Sequence, residues 1–348
     1  MIEGLHHLFT DQGTPVAQAL QNRLEELISN HGRNARLLRQ ETIKTHVYRL
    51  HFEVEGEPLV FILKSMEARI ARRTELVSQR WLPAVGLSES GSPLLASVGT
   101  PDGGSVWHIY SDLGSRSLAE EMDNAEGVAA TVRFIADLHK RFMDHPYRPE
   151  FRLFGGDLGA HFVESNIRDA MLILERITKD HGAREGNWTV VHQVLDRLSV
   201  IMGELPSRLK ILKECSGPES LLHGDLWPSN VFVSSDGHVR LIDWDRAAVG
   251  PIAYDISTFI LRFPREQRVG LMELYREALP SEVWEIPAYQ DLNLLFETFE
   301  FARYACLILW PAIAVWESGA DWALEQLEEI EHWFEAWEPI FPVLEDAA

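Results

Sequence analysis

A chain of 348 residues with 46% apolar and 24% charged side chains can bury a sizeable core, which excludes disordered, collagen-like and coiled-coil architectures. Its 32 Lys and Arg against 53 Asp and Glu give a net charge of −21, which argues against sequence-independent binding to nucleic acid, because that needs a basic face. The surplus is uneven: residues 1–110 hold 11 basic and 12 acidic side chains, leaving 21 and 41 for residues 111–348. In chain order, residues 20–27 have the period of a helix. From Ala35 that period is lost, and residues 45–54 alternate polar and apolar as a half-buried strand does. Glu55-Gly56-Glu57-Pro58 is a turn, and residues 59–64 form a more buried strand, so this hairpin ends in a lysine. Residues 68–82 have helical spacing that stops near Pro83, and 94–98 and 106–110 are short strands around a Pro-Asp-Gly-Gly turn. After Gly114 the pattern is helical at 125–142, 161–180, 189–203 and 266–278, interrupted once at 220–243 by a second hairpin, 231–233 with 239–243. The most apolar stretch, 304–316, is 13 residues long and broken by Pro311, too short to span a bilayer. The expected architecture is α+β: a small antiparallel β lobe with one helix, 1–110, then a larger, mainly helical lobe, 111–348.

Two cysteines far apart, Cys215 and Cys306, suit a reducing cytoplasm, and no basic segment precedes an apolar run in residues 1–9, so no signal peptide is expected. Chemistry concentrates in His223-Gly224-Asp225-Leu226-Trp227-Pro228-Ser229-Asn230, where an aspartate and an asparagine stand five residues apart before a strand. Asp243 ends the paired strand, and a hairpin can bring it and Asn230 to one mouth. Phosphoryl transfer needs this set: one carboxylate to orient and deprotonate a hydroxyl, and an amide oxygen plus a carboxylate for the Mg²⁺ that bridges the phosphates. Lys64 at a strand end, with Glu75 on the following helix, completes a phosphate clamp.

These residues, with Leu241-Ile242-Asp243-Trp244-Asp245 and Gly250-Pro251-Ile252-Ala253-Tyr254-Asp255, resemble the aminoglycoside phosphotransferase and choline kinase family, whose members have a protein-kinase-like fold. The resemblance implies ATP and Mg²⁺ as cofactors. It implies Asp225 as catalytic base, Asn230 and Asp243 as Mg²⁺ ligands, Lys64 as the contact to the α and β phosphates, and Glu75 as its ion-pair partner. Trp107, His108 and Ile109 resemble the hinge strand whose backbone holds adenine, and Asp112-Leu113-Gly114 the lobe linker. His223 reads as a structural hydrogen-bonding residue and Asp255 as a brace for the catalytic loop, whereas Asp245 is equally a second metal contact or a turn cap. Two departures matter. Residues 39–45 contain no glycine, so a Gly-rich phosphate loop is absent, and backbone amides or the Thr42 and Thr45 hydroxyls are left to cover the phosphates. Only twelve positions separate Asp243 from Asp255, with no Ala-Pro-Glu anchor, which leaves no room for an activation loop and favours a small-molecule acceptor.

Residues 277–348 set 16 acids against one base, Arg303, and hold six of the 11 tryptophans. The acids are solvated helix surface or a wall facing a cation. Trp333 and Trp337 share an apolar helix stripe with Ala323, Leu327 and Ile330, the pattern of core packing, with an aromatic and acidic cage as the sharper alternative. Glu297 and Glu300, near Arg303, are candidate acceptor contacts. The leading expectation is a cytoplasmic ATP- and Mg²⁺-dependent kinase for a hydroxyl of a small cationic molecule of the aminoglycoside, choline, amino-sugar or homoserine type, with no nucleic-acid or membrane partner. A stress-type Ser/Thr protein kinase on the same scaffold and a non-catalytic nucleotide-binding module are the alternatives.

Overall fold

The computed structural model of the chain describes residues 14–31, 34–114, 116–181 and 188–342. They form two compact units. One comprises the described residues up to Thr131 together with Leu153–Gly155 and Trp227–Ala247; the other comprises Val132–Arg152, Gly156–Leu226 and the described residues from Ala248 onward.

In the first unit, strands β1 (Ala35–Lys44), β2 (Val47–Val54), β3 (Glu57–Glu67), β4 (Leu94–Gly99) and β5 (Ser105–Ser111) make one antiparallel sheet in the order β1-β2-β3-β5-β4. Helix α1 (Thr14–Ser29) carries Val16, Leu20, Leu24 and Ile28 four residues apart, hence on one stripe, and buries them against Leu50, Phe52, Phe61, Leu63, Trp107 and Ile109. Each such side chain contributes roughly 1.5–3 kcal/mol. Side chains alternate across a strand, so with Phe61 and Leu63 turned to α1, Ile62 and Lys64 share the opposite face. The β2–β3 turn is Glu55-Gly56 with φ of 54° and 90°, a pair of left-handed residues whose twist matches that of the strands they join. After β3 the chain enters α2 (Ala68–Leu76), passes through one wider turn, Val77–Trp81, and continues into a short α3 (Leu82–Ala84).

Strand β1 has no counterpart in the sequence pattern. It has one neighbour, its side chains are all half-buried or exposed, and two register shifts interrupt its pairing, so no regular apolar alternation is written into it. A second hairpin, β7 (Val231–Val233) with β8 (Val239–Leu241), belongs to this unit although it lies far along the chain. The β6 (Glu219–Leu222) and β9 (Ala248–Pro251) strands pair in the second unit.

Helix α4 (Ala125–Phe142) is followed by α5 (Arg148–Gly155), and the second unit is built mainly from α6 (Ala160–His181), α7 (Thr189–Cys215), α8 (Ala253–Leu261), α9 (Arg265–Ala278), α10 (Tyr289–Ser318) and α11 (Asp321–Glu335). Helix α7 does not stop at Gly203 but runs through Pro206, because Leu205, Arg208 and Leu212 are buried on either side of the proline. The 13-residue apolar stretch is part of α10, whose 30 residues are long and apolar enough to cross a membrane; 61% of its most apolar window is buried in the protein, where α10 packs on α6, α7 and α11. Burial, rather than insufficient length, makes it a core helix. Trp333 stacks on Tyr304 with ring centroids 3.4 Å apart, and Phe301 packs on Trp333 and on Trp337 just beyond α11, so these indoles join α11 and the residues after it to α10.

Candidate active site

The first unit contains a cavity of about 400 Å³. Its lining combines apolar side chains, Val47 and Ile62 from the sheet and Phe232 and Ile242 from the β7–β8 hairpin, with polar ones, Lys44, Lys64, Asn230, Asp243 and Asp245. The hairpin positions Asn230 and Asp243. Asn230 C=O accepts from the Ile242 N–H at 2.9 Å, which holds Asn230 beside the residue preceding Asp243. Asp243 takes a left-handed backbone (φ 64°, ψ 50°), tolerated by aspartate more than by most residues, and turns the chain into the single helical turn Trp244–Arg246. Arg73 on α2 donates from Nε to Phe154 C=O at 3.0 Å and from Nη1 to Asp245 C=O, tying that turn to the sheet's helix.

Lys64 donates to Asp243 Oδ1 and, at 2.7 Å, to Asp245 Oδ2. Burial alone pushes its ammonium down, but the two carboxylates outweigh it and hold the pKa above the ordinary lysine value. Burial likewise acts to raise Asp243, yet Lys64 and Lys44 hold its carboxyl well below the usual range. Asp245 goes the other way, raised by burial and by the Asp243 charge. Asp245 Oδ1 is buried without a hydrogen-bond partner. That orphaned oxygen, the depressed Asp243 carboxylate and the Asn230 amide are hard oxygen donors, and they fit Mg²⁺, which typically takes one or two carboxylates and completes its shell with phosphate and water. No group of three or more His, Cys, Asp or Glu that could hold a metal ion occurs among the described residues.

Two expectations are corrected. Glu75 does not pair with Lys64: its Oε1 accepts from Ser97 Oγ at 2.8 Å and lies 3.3 Å from His108 Nε2, while Lys64 is taken up by Asp243 and Asp245. Nor do Trp107, His108 and Ile109 line the cavity. They sit in β5 between β3 and β4, their backbones face ladders on both sides, Trp107 and Ile109 point to α1, and His108 is buried against Glu75 and the Tyr110 hydroxyl. The cavity is lined instead by the strand end and linker from Tyr110 to Gly114. Arg49 fixes that linker by donating to Asp112 Oδ1 at 3.2 Å and to Gly114 C=O at 3.1 Å. Neither Thr42 nor Thr45 lines the cavity, but Lys44 does, and it donates to Asp243 Oδ2 at 3.1 Å. In the sequence it stood only as one residue of the glycine-free segment 39–45.

In the second unit, β6 ends at Leu222 and β9 leads into α8, so the β6–β9 pair brings His223-Gly224-Asp225 to the first turn of α8. There Asp255, fully buried, accepts the His223 N–H at 2.6 Å and the Gly224 N–H at 2.9 Å. Gly224 has φ of 78°, a conformation that costs other residues more, and it lets both amides face one carboxylate. Asp225 is half-buried, and its N–H donates to His223 Nδ1 at 3.3 Å. The brace expected at Asp255 is therefore what the geometry has. Burial raises the Asp255 pKa, but His139, 3.5 Å away, together with His223 and the Gly224 amide, brings it below the usual carboxylate value.

A depressed folded-state pKa adds stability that is complete above the unfolded value, roughly pH 4, and is lost as the pH falls through the folded value. Asp255→Ala should therefore cost about 3 kcal/mol at pH 7, the scale for breaking a buried charged pair. In urea titrations the gap between wild type and variant should narrow below pH 4; a gap of the same size at pH 3 would contradict the assignment.

Glu297 and Glu300 are already committed to arginines. Glu297 pairs with Arg208 at 2.8 Å, and Glu300, fully buried, lies 3.5 Å from Arg262 and 3.4 Å from Arg303. Arg303 also donates to Thr258 Oγ1 and sits 4.6 Å over the Tyr254 ring. These carboxylates do not form an open acidic wall.

An antiparallel five-stranded lobe with a carboxylate-bound lysine on an inner strand, followed by a mainly helical lobe, defines a kinase-like phosphoryl-transfer scaffold. The sequence profile of the phosphotransferase enzyme family matches residues 61–290, and the chain belongs to this family. It is a phosphotransferase with a hydroxyl acceptor, and its fold is the α+β, protein-kinase-like one. No curated protein sequence matches it significantly. Among solved structures it resembles an ethanolamine kinase of Plasmodium vivax (14% identity, TM-score 0.57, covering 84% of this chain and 82% of that one). It also resembles the choline kinase LicA of Streptococcus pneumoniae (13% identity, TM-score 0.52, 92% and 100%). A third likeness is to aminoglycoside 2′-phosphotransferase-IIIa in its GDP complex (14% identity, TM-score 0.55, 90% and 98%). At these identities the likeness is one of fold.

Proposed function

We propose that the protein transfers the γ-phosphate of ATP, with Mg²⁺, to a hydroxyl of a small cationic molecule, the nucleotide held by the N-terminal lobe and the β7–β8 hairpin and the acceptor by the helical lobe. The observation that carries this reading is the pairing of Lys64 with Asp243 and Asp245 in a cavity that Val47, Ile62, Phe232 and Ile242 also line. Val47, Ile62, Phe232 and Ile242 suit the faces of a planar base, and the Tyr110–Gly114 segment its polar edge. Asn230 and Asp243 would hold Mg²⁺, with Asp245 beside them; bound there, the metal neutralises charge building on the phosphates. Lys64 then serves the α and β phosphates. Asp225, five residues before Asn230 on one short loop, orients the acceptor hydroxyl and takes its proton.

For a cationic acceptor the support is the net charge of −20 on residues 111–348, together with the ethanolamine, choline and aminoglycoside acceptors named for the similar structures. A coupled ADP-release assay over choline, ethanolamine, aminoglycosides, amino-sugars and homoserine, run beside general protein substrates, tests the reading. Mg²⁺-dependent release with one cationic small-molecule class is expected. Phosphate incorporated into protein alone would replace the reading with that of a protein kinase, and nucleotide binding without any transfer would replace it with that of a non-catalytic module.

A further inference from the structure

In protein kinases a glycine-rich turn lays its backbone amides over the nucleotide's phosphates. The corresponding turn here is built differently. β1 and β2 pair as far as Lys44 and Val47, so only Thr45 and His46 form the turn; His46 takes φ of 63°, and its C=O accepts the Ser65 N–H at 2.9 Å. This closed, two-residue turn, without a glycine from 39 to 45, has no open loop of amides to offer. What it does project is a charge. The register shift between Thr42 and Lys44 breaks the alternation just before the turn, and Lys44 lines the cavity beside Asp243.

Two ammonium groups share the Asp243 carboxylate: Lys64 on Oδ1 and Lys44 on Oδ2. They are not equivalent. The Lys64 side chain is 14% exposed and has Asp245 as a second partner, whereas that of Lys44 is 60% exposed, with Asp243 its one ion-pair partner among the described residues. The other acids lining the cavity are engaged elsewhere, Asp112 with Arg49 and Glu120 with the Ser117 N–H. Once Asp243 is committed to a metal ion, Lys64 retains Asp245. Lys44, on a long and exposed stem, then gives up its one ion-pair partner among the described residues and can meet an anion on the ligand.

We infer that Lys44 is a second phosphate-binding cation, directed at the outer phosphates of the nucleotide, and that this side chain replaces the backbone amides of a glycine-rich loop. The inference rests on the nucleotide reading given above. Calorimetric titration of the full-length chain and of Lys44→Met and Lys44→Arg with Mg·ATP, AMP and adenosine tests both and keeps them apart. Lys44→Met should weaken Mg·ATP about tenfold, as expected for one charge-assisted phosphate contact, while AMP and adenosine stay within twofold and Lys44→Arg recovers most of the loss. If ATP affinity is unchanged in Lys44→Met, or if adenosine and AMP weaken as much as ATP, the role of Lys44 is overturned while the nucleotide site stands. A wild-type chain that binds none of the three overturns the nucleotide reading, and the role of Lys44 with it.

Discussion

Asp225→Ala should lower turnover by about 10²–10⁴-fold while leaving the affinity for nucleotide within roughly twofold, the range set by removal of a positioned general base. The two halves of this result come from different parts of the chain. The nucleotide contacts proposed here all belong to the first compact unit, whereas Asp225 sits in the second, held through the loop that Asp255 anchors. Removing its carboxylate takes nothing from the Lys64 pairs or the apolar slot, and it leaves the His223 and Gly224 amides on Asp255. The expected signature is thus a fall in kcat with an intact fold and intact binding, read by ADP release, calorimetry and urea unfolding. Asp225→Asn keeps the side chain's shape without its charge and should be nearly as slow as alanine. Turnover within threefold of wild type in either variant would remove Asp225 from the chemistry.

The parts of this design that were legible in the sequence are those with local rules. The Asp225–Asn230 spacing, the hairpin to Asp243 and the lysine at the end of the more buried strand are short-range patterns, and the structure keeps Lys64, Asn230 and Asp243 on the lining of one cavity. What was not legible depends on choices among similar partners. Two carboxylates on the β8–α8 side compete with Glu75 for Lys64, and no local pattern says which will win; the hairpin brings Asp243 and Asp245 together, while Ser97 and His108 occupy Glu75. The segment that lines the cavity lies a few residues beyond Ile109 for a related reason. Trp107, His108 and Ile109 look like a distinctive segment, but a strand with neighbours on both sides has its backbone engaged, and free polar edges begin only where the ladder ends. Strand β1 escaped because an exposed edge needs no apolar alternation. Glu297 and Glu300 looked available because sequence shows an acid's charge and hides the arginine that cancels it.

Asp243→Asn should reduce turnover by about 10³-fold and weaken metal binding, since a metal at a phosphoryl-transfer site supplies several kcal/mol of charge stabilisation and each 1.36 kcal/mol is tenfold in rate. Asparagine is the informative replacement. It accepts the left-handed backbone at this position and keeps an oxygen on the same stem, so only the charge is removed. In the absence of nucleotide that charge is shared by Lys64 and Lys44, and the buried lysine keeps Asp245, so the cost to folding should stay near 2 kcal/mol, the scale of one hydrogen bond to a charged group. The catalytic loss should therefore exceed anything that partial unfolding could cause. Mn²⁺ relaxation measurements give the second readout: in the presence of nucleotide, Mn²⁺ should bind the variant at least tenfold more weakly than wild type. Raising the metal concentration should restore part of the activity, because Asn230 and Asp245 remain. Unchanged Mn²⁺ affinity would show that Asp243 neutralises lysines and is not a metal ligand, and the metal would then have to be sought on Asp245, whose buried Oδ1 has no other partner.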